Sequence, residues 1–268
     1  MISRSYYLVL GIFILLLILP ILGIISKIEF EASYFIEFFY SNYNIRLVTI
    51  SFFQAMLSAT LSCIIAIPLS LSLYRQRESK IIKIIISLCG YSFVLPSILI
   101  VFSVIGLFGI NGILNNYINF YEFFNIRTIF GLKGIILGHI LLNAPFAARL
   151  FFQNLNSIPK NYSEVSSSLC LGFLANTIKI EWPILKQNLI SVFSIIFVLC
   201  FLSFPIVMSL GSGPLTSTIE VAIYQYALFE LNFNKAIILS FIQISICLFF
   251  VFIGFFKLKG SNFFEIEI

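Results

Sequence analysis

The chain has 268 residues, of which 60% are hydrophobic and only 10% are charged, and its formal net charge is +5. A soluble domain carries about 25% charged residues and cannot bury so large an apolar fraction. The composition therefore excludes an ordinary soluble domain, and the lack of a basic stripe argues against a nucleic-acid partner. It predicts an all-α, polytopic membrane protein, because apolar runs of about 20 residues cross a bilayer as helices.

Six apolar blocks, taken in chain order, predict six transmembrane helices: roughly 6–26, 47–74, 84–108, 132–155, 187–210 and 236–256. The first block is too long for a signal peptide and lacks a small-x-small cleavage pattern, so we interpret it as a retained span. Most of the 16 basic residues fall on one side of the predicted membrane when both termini lie on that side. The positive-inside rule therefore predicts that both termini are cytoplasmic.

A polar segment, residues 159–183, interrupts the apolar chain between the fourth and fifth predicted spans, on the cytoplasmic side. Pro159 suits the first turn of a helix, and Ser157 can cap that helix. One helical face has the spacing i, i+3, i+4 and i+7: Tyr162, Val165, Ser166 and Leu169. A helix lying on lipid is usually rich in Lys and Arg, whereas Lys160 is the single basic residue between positions 159 and 170. The pattern favours a helix of about 159–170 that contacts a partner protein.

A second polar stretch lies at the outer end of the fifth predicted span. Gly211, Gly213 and Pro214 predict a tight turn, after which a short helix is expected. Glu220 and Tyr224 lie one turn apart on that helix and offer a charge and a ring to a cationic, aromatic solute. The alternative is a structural turn whose surface docks a soluble binding protein, and the residues alone leave both open.

Motifs of enzymes and metal sites are missing from the sequence, which has no P-loop, no nucleophile elbow and no H-E-x-x-H. The only histidine, His139, has no metal-ligand spacing, and we expect it to bond a neighbouring helix. The five cysteines lack CxxC spacing. We therefore predict no catalytic residue, cofactor or metal in this chain. An ion-coupled secondary transporter or an intramembrane enzyme would place acidic residues inside spans, whereas all 11 glutamates lie in loops or at helix ends. A purely structural membrane subunit is a further alternative.

The polar segment resembles the cytoplasmic coupling loop of MetI-like, binding-protein-dependent ABC importer permeases, whose pattern is E-A-A, three residues, G, nine residues and I-x-L-P. The spacing is kept throughout, and the matching positions are Glu164, Val165, Ser166, Cys170, Ile180, Trp182 and Pro183. Because Cys170 replaces the glycine of the pattern, Gly172 is expected to make the turn. The resemblance implies that this loop docks on a separate cytoplasmic ATPase subunit, which binds the ATP and Mg.

Several longer stretches, 51–62, 94–109, 134–159, 180–189 and 197–236, resemble the N-terminal half of the ABC permeases that import thiamine. The most specific is the pattern S-L-G-x-G-P-x-x-x-T-I-E-x-A-I-Y-Q at 209–225. The resemblance implies an inner-membrane permease that takes thiamine or its phosphates from a periplasmic binding protein; a permease for another solute, such as ferric iron, is the alternative. Residues expected to line the path or to contact the binding protein are Gly211, Gly213, Glu220, Tyr224 and Gln225.

The same resemblance divides the chain into a first helix with a periplasmic segment (1–45), a permease domain (46–260) and a cytoplasmic tail (261–268). Permeases of this type combine two six-helix halves. The second half is left open as a second copy, a separate chain or the remainder of a longer chain.

Overall fold

The computed structural model describes residues 11–16, 18–19, 22–23, 40–123, 128–158, 162 and 172–257. Regular secondary structure in these ranges is helical throughout. Among the described residues, five helical stretches are long and apolar enough to cross a membrane. The predicted all-α, polytopic fold is therefore confirmed. The first predicted span, 6–26, lies largely outside the described residues, so the count of six spans stays a prediction.

The helices, in chain order, are α1 Asn42–Arg75, α2 Lys80–Tyr91, α3 Ser97–Phe108, α4 Ile113–Ile118, α5 Phe120–Phe123, α6 Leu132–Asn156, α7 Phe173–Asn176, α8 Trp182–Phe201, α9 Phe204–Leu210, α10 Ile219–Leu228 and α11 Phe233–Lys257. A 3₁₀ turn, Ser92–Val94, follows α2, and a π-helical turn, Thr177–Glu181, joins α7 to α8.

Two of the predicted spans are interrupted, and a proline lies beside each interruption. The third, 84–108, consists of α2 and α3, which are separated at Pro96 because a proline holds the residue before it extended. The fifth, 187–210, ends as α8 at Phe201 and resumes as α9 after Ser203, with Pro205 in the first turn. The prediction of continuous helices is wrong at these two places.

At the centre of the bundle, α1 packs along α6. α1 directs a face of small side chains into the bundle: Ser51, Ala55, Ser58, Ala59, Ser62, Ala66 and Ser70. α6 contributes Ala147 and Ala148 to the same buried cluster as Ala55, Ala59 and Ala66. Lipid gives no hydrophobic driving force between helices, so close backbone approach through small residues is what holds such a pair. α8 packs on both helices and on α11, where the rings of Phe197 and Phe250 stack with centroids 3.8 Å apart.

Buried polar side chains tie α1, α6 and α8 together. His139 Nδ1 lies 3.2 Å from Ser58 Oγ, which confirms the predicted bond to a neighbouring helix. Gln54 Nε2 donates to the Cys200 carbonyl oxygen (3.1 Å), close to the point where α8 ends. An unpaired backbone carbonyl in hydrocarbon is costly, so Gln54 compensates the break in the fifth span.

Candidate coupling site

Much of the predicted coupling helix, 159–170, lies outside the described residues. This includes four predicted site residues, namely Glu164, Val165, Ser166 and Cys170. Their role stays a prediction. The described part of the coupling motif is Gly172, Ile180, Trp182 and Pro183. Ile180 is half-buried and packs against the hydrophobic core of the bundle; the geometry of the other three follows.

Gly172 immediately precedes α7. Its backbone has φ −64° and ψ 164°, and its carbonyl oxygen accepts the N–H of Asn176 (3.0 Å). Any residue adopts these angles, and a methyl group at this position would meet no atom within 4 Å. Gly172 is thus the N-cap of α7, with backbone angles that need no glycine. The turn expected between it and the coupling helix stays a prediction, because residues 163–171 lie outside the described residues.

α7, the π turn and α8 form one helical stretch, Phe173–Phe201. The N–H of Trp182 donates to the carbonyl of Thr177, five residues back. Pro183 follows, and in a regular α-helix its ring would clash with the carbonyl four residues earlier. We attribute the π turn to this proline, since inserting a residue widens the helix there. Trp182 and Pro183 are exposed, so this part of the motif presents an accessible surface at the end of the bundle where α1 ends.

An ion pair that the sequence did not indicate holds this segment to the bundle. Arg75, the last residue of α1, donates from Nε to Glu181 Oε1 (3.1 Å) and from Nη2 to Oε2 (2.6 Å). The side chain of Glu181 is 2% exposed and that of Arg75 is 23% exposed. Two parallel bonds from a guanidinium to a carboxylate fix orientation as well as distance.

Three further side chains of the segment complete this contact. Arg75 Nη2 also donates to Thr177 Oγ1 (2.5 Å), and the guanidinium carbon lies 3.8 Å from the centre of the Phe173 ring. Asn176 Nδ2 donates to Glu181 Oε1 (3.2 Å). We call Arg75, Phe173, Asn176, Thr177 and Glu181 the arginine clamp. All of its members except Arg75 come from residues 173–181, directly after the predicted coupling helix.

The glycine loop, residues 211–218, connects α9 to α10 near the opposite end of α1. Gly213 has φ +83°, an angle at which residues with a side chain are strained. Thr216 Oγ1 accepts a backbone N–H of the loop (2.7 Å), and Arg46 Nη2 donates to the Pro214 carbonyl (3.0 Å). The predicted turn and the short helix after it, α10, are both confirmed.

A cavity of about 220 Å³ opens beside the glycine loop, and three predicted residues line it: Gly211, Gly213 and Gln225. Tyr43 and Ser217 line it as well. The lining side chains that the structure describes include no charged group. The cavity therefore offers hydrogen bonds and an aromatic ring, but no fixed charge, to a solute.

Glu220 and Tyr224 do not line this cavity. The Glu220 carboxylate accepts a hydrogen bond from Gln243 Nε2 of α11. The ring of Tyr224 packs against Phe204 and Phe229, with centroids 4.8 Å and 5.6 Å away. The structure thus separates the five predicted path residues into a group at the cavity and a pair that fastens α10 to its neighbours.

Comparison with known proteins gives the following results. No family model matches the chain. The thiamine transport system permease protein ThiP of Haemophilus influenzae is 37% identical to it over 211 residues, which is 78% of this chain and 39% of ThiP. The chain therefore spans less than half the length of that relative.

Solved structures share the fold. A chain in the crystal structure of a bacterial ABC transporter involved in the import of the acidic polysaccharide alginate superposes with a TM-score of 0.72 and 15% identity, covering 96% of both chains. A chain of the inward-facing MetNI methionine ABC transporter gives a TM-score of 0.63 and 16% identity, covering 82% of this chain and 98% of that one. The described bundle therefore has the same fold as these two transporter chains.

Proposed function

We propose that this chain is an ABC transporter permease, the membrane subunit of an ATP-driven importer for thiamine or its phosphate esters. The observation that carries the proposal is the 37% identity to ThiP across 78% of the chain, a stretch long enough to reach most of the described bundle. The uncharged cavity beside the glycine loop fits a permease that passes its cargo on, because a site that binds tightly slows release.

The proposed partners are a cytoplasmic ATPase subunit, a periplasmic binding protein and a second permease half. ATP hydrolysis is assigned to the ATPase, and the predicted coupling helix is assigned to its docking surface. Exposed Trp182 and Pro183, at the same end of the bundle, support an accessible contact surface there. The glycine loop is assigned to the opposite, periplasmic side. This assignment requires the membrane orientation that the positive-inside rule predicts.

Glu164→Lys tests the docking role. The substitution removes a carboxylate near the positive N-terminal end of the predicted coupling helix and introduces a repelling charge. We expect association with the ATPase to weaken by about 1–3 kcal/mol, measured by the amount of ATPase that copurifies as salt is raised. Glu78→Lys is the matched control, since Glu78 lies at the same end of the bundle with its side chain 89% exposed. ATP-driven uptake at the wild-type rate by Glu164→Lys would rule out this role.

Growth on limiting thiamine tests the cargo. A thiamine auxotroph should grow with the complete transporter and fail when the gene for this chain is deleted. Equal growth of both strains, together with loss of ferric iron uptake, would reject thiamine and leave the permease assignment intact. Loss of neither uptake would reject both.

A further inference from the structure

We propose that Arg75 and Glu181 are positioning residues that connect the predicted coupling helix, through α1, to the glycine loop at the other end of the bundle. This inference rests on the proposed function. In this inference, the arginine clamp transmits movement of the ATPase contact to the helices of the bundle.

The first argument is the exposure of α7. Phe173 and Leu174, which begin this helix, are each 71% exposed, so α7 is not held by burial of its side chains. The guanidinium of Arg75 nevertheless lies against the Phe173 ring and bonds Thr177 and Glu181. The clamp thus fastens an exposed segment to α1, immediately after the predicted coupling helix.

The second argument is the continuity of α1. It is a single helix of 34 residues, which corresponds to about 50 Å at 1.5 Å per residue. Arg75 ends it at the clamp, whereas Arg46, near its start, donates to Pro214 in the glycine loop. Rigid helices are among the elements that carry coupling between distant sites. One helix therefore contacts both regions that an importer must coordinate.

The third argument is the chemistry of the clamp. Both charges of the pair are largely withdrawn from water, and the carboxylate also accepts a bond from Asn176. A planar guanidinium holds its partner at two points and stacks on a ring, which a lysine ammonium cannot reproduce. The pair therefore fixes the orientation of residues 173–181 relative to α1, and a fixed orientation is needed to transmit a movement between them.

The test compares two conservative clamp variants with a control. Arg75→Lys keeps the positive charge and removes the two-point contact, and Glu181→Gln keeps the shape of the side chain and removes its charge. Arg77→Lys is the matched control: it makes the same change two residues further on, where Nε lies 3.9 Å from the exposed Glu78. Each complex is purified through a tag on this chain and reconstituted in liposomes with its binding protein.

Uptake of radiolabelled thiamine and release of phosphate are measured in the same liposomes. We expect thiamine imported per ATP to fall about threefold to thirtyfold in both clamp variants, with subunit content and thermal unfolding midpoint preserved, and to stay unchanged in Arg77→Lys. An unchanged ratio, or a parallel fall of uptake and hydrolysis, would overturn the inference. Failure of both clamp variants to assemble would also overturn it, because the clamp would then be a folding contact.

The wild-type complex separates this inference from the proposed function. If no ATPase copurifies with the wild-type chain, or if the wild-type liposomes take up no thiamine, the proposed function fails. If the wild type transports and the clamp variants behave like Arg77→Lys, only the inference fails.

Discussion

Replacing Ser51 with alanine tests how α1 holds the start of α10. Ser51 Oγ accepts the N–H of Ile219 (2.8 Å), and both residues are at most 1% exposed. Thr218, at the cap position of α10, makes no capping bond with its side chain, so a serine of another helix supplies the cap. Without it the Ile219 N–H is buried and unpaired, which costs about 1–3 kcal/mol, and loss of a cap costs about 1 kcal/mol. We expect a loss of about 2 kcal/mol in the free energy of unfolding.

The measurement is a reversible unfolding titration with SDS in mixed detergent micelles, followed by tryptophan fluorescence. Ser245→Ala is the control, because it removes the same atom from an exposed serine whose hydroxyl donates to the carbonyl of Phe241 in its own helix. We expect that control to change stability by less than about 0.5 kcal/mol. If Ser51→Ala and Ser245→Ala shift the titration equally, the cap across helices does not stabilise α10, and the reasoning is refuted.

Three further predictions follow from burial, packing and charge. Gly134→Ala places a methyl 2.4 Å from the carbonyl oxygen of Ile129, so we expect a loss of about 2 kcal/mol or more. Gly106→Ala, whose methyl meets no atom within 4 Å, should be neutral or stabilising by up to about 1 kcal/mol in the same titration, and equal losses would contradict this. In a Cys170→Ser background, maleimide labelling of the native protein, read by mass spectrometry, should leave three buried thiols unmodified until the protein is unfolded: Cys63, Cys89 and Cys200. Rapid labelling of these three thiols in the native protein would contradict their burial. Reporter fusions after residue 120 should be external and those after residue 165 internal, and the reverse pattern would overturn the orientation.

The sequence predicts the membrane spans well because hydropathy and length decide them. α1, α6 and α11 follow the second, fourth and sixth predicted blocks. The interruptions at Pro96 and Ser203 escape a hydropathy window, because neither reduces the apolar content of the surrounding residues. Pro68 and Pro145 lie inside continuous helices, so the presence of a proline alone does not locate a break.

The candidate site is less predictable, because its main contact joins distant parts of the chain. Arg75 and Glu181 are 106 residues apart, and Glu181 occupies the unspecified position of the I-x-L-P motif. The spacing of Glu220 and Tyr224 places them on one helical face. It does not reveal that α11 donates a hydrogen bond to the carboxylate, or that aromatic rings pack against the tyrosine ring. Local patterns thus located both regions, and tertiary contacts decided which residues meet there.

Thiamine uptake by liposomes that contain the complex purified through this chain is the most direct test of an ATP-driven importer. Radiolabelled thiamine and the binding protein are supplied on the periplasmic side, with ATP on the ATPase side, and liposomes prepared without the complex are the control. We expect accumulation only when ATP, the binding protein and this chain are all present. Accumulation driven by an ion gradient in the absence of ATP and the ATPase would contradict the account and identify a secondary transporter.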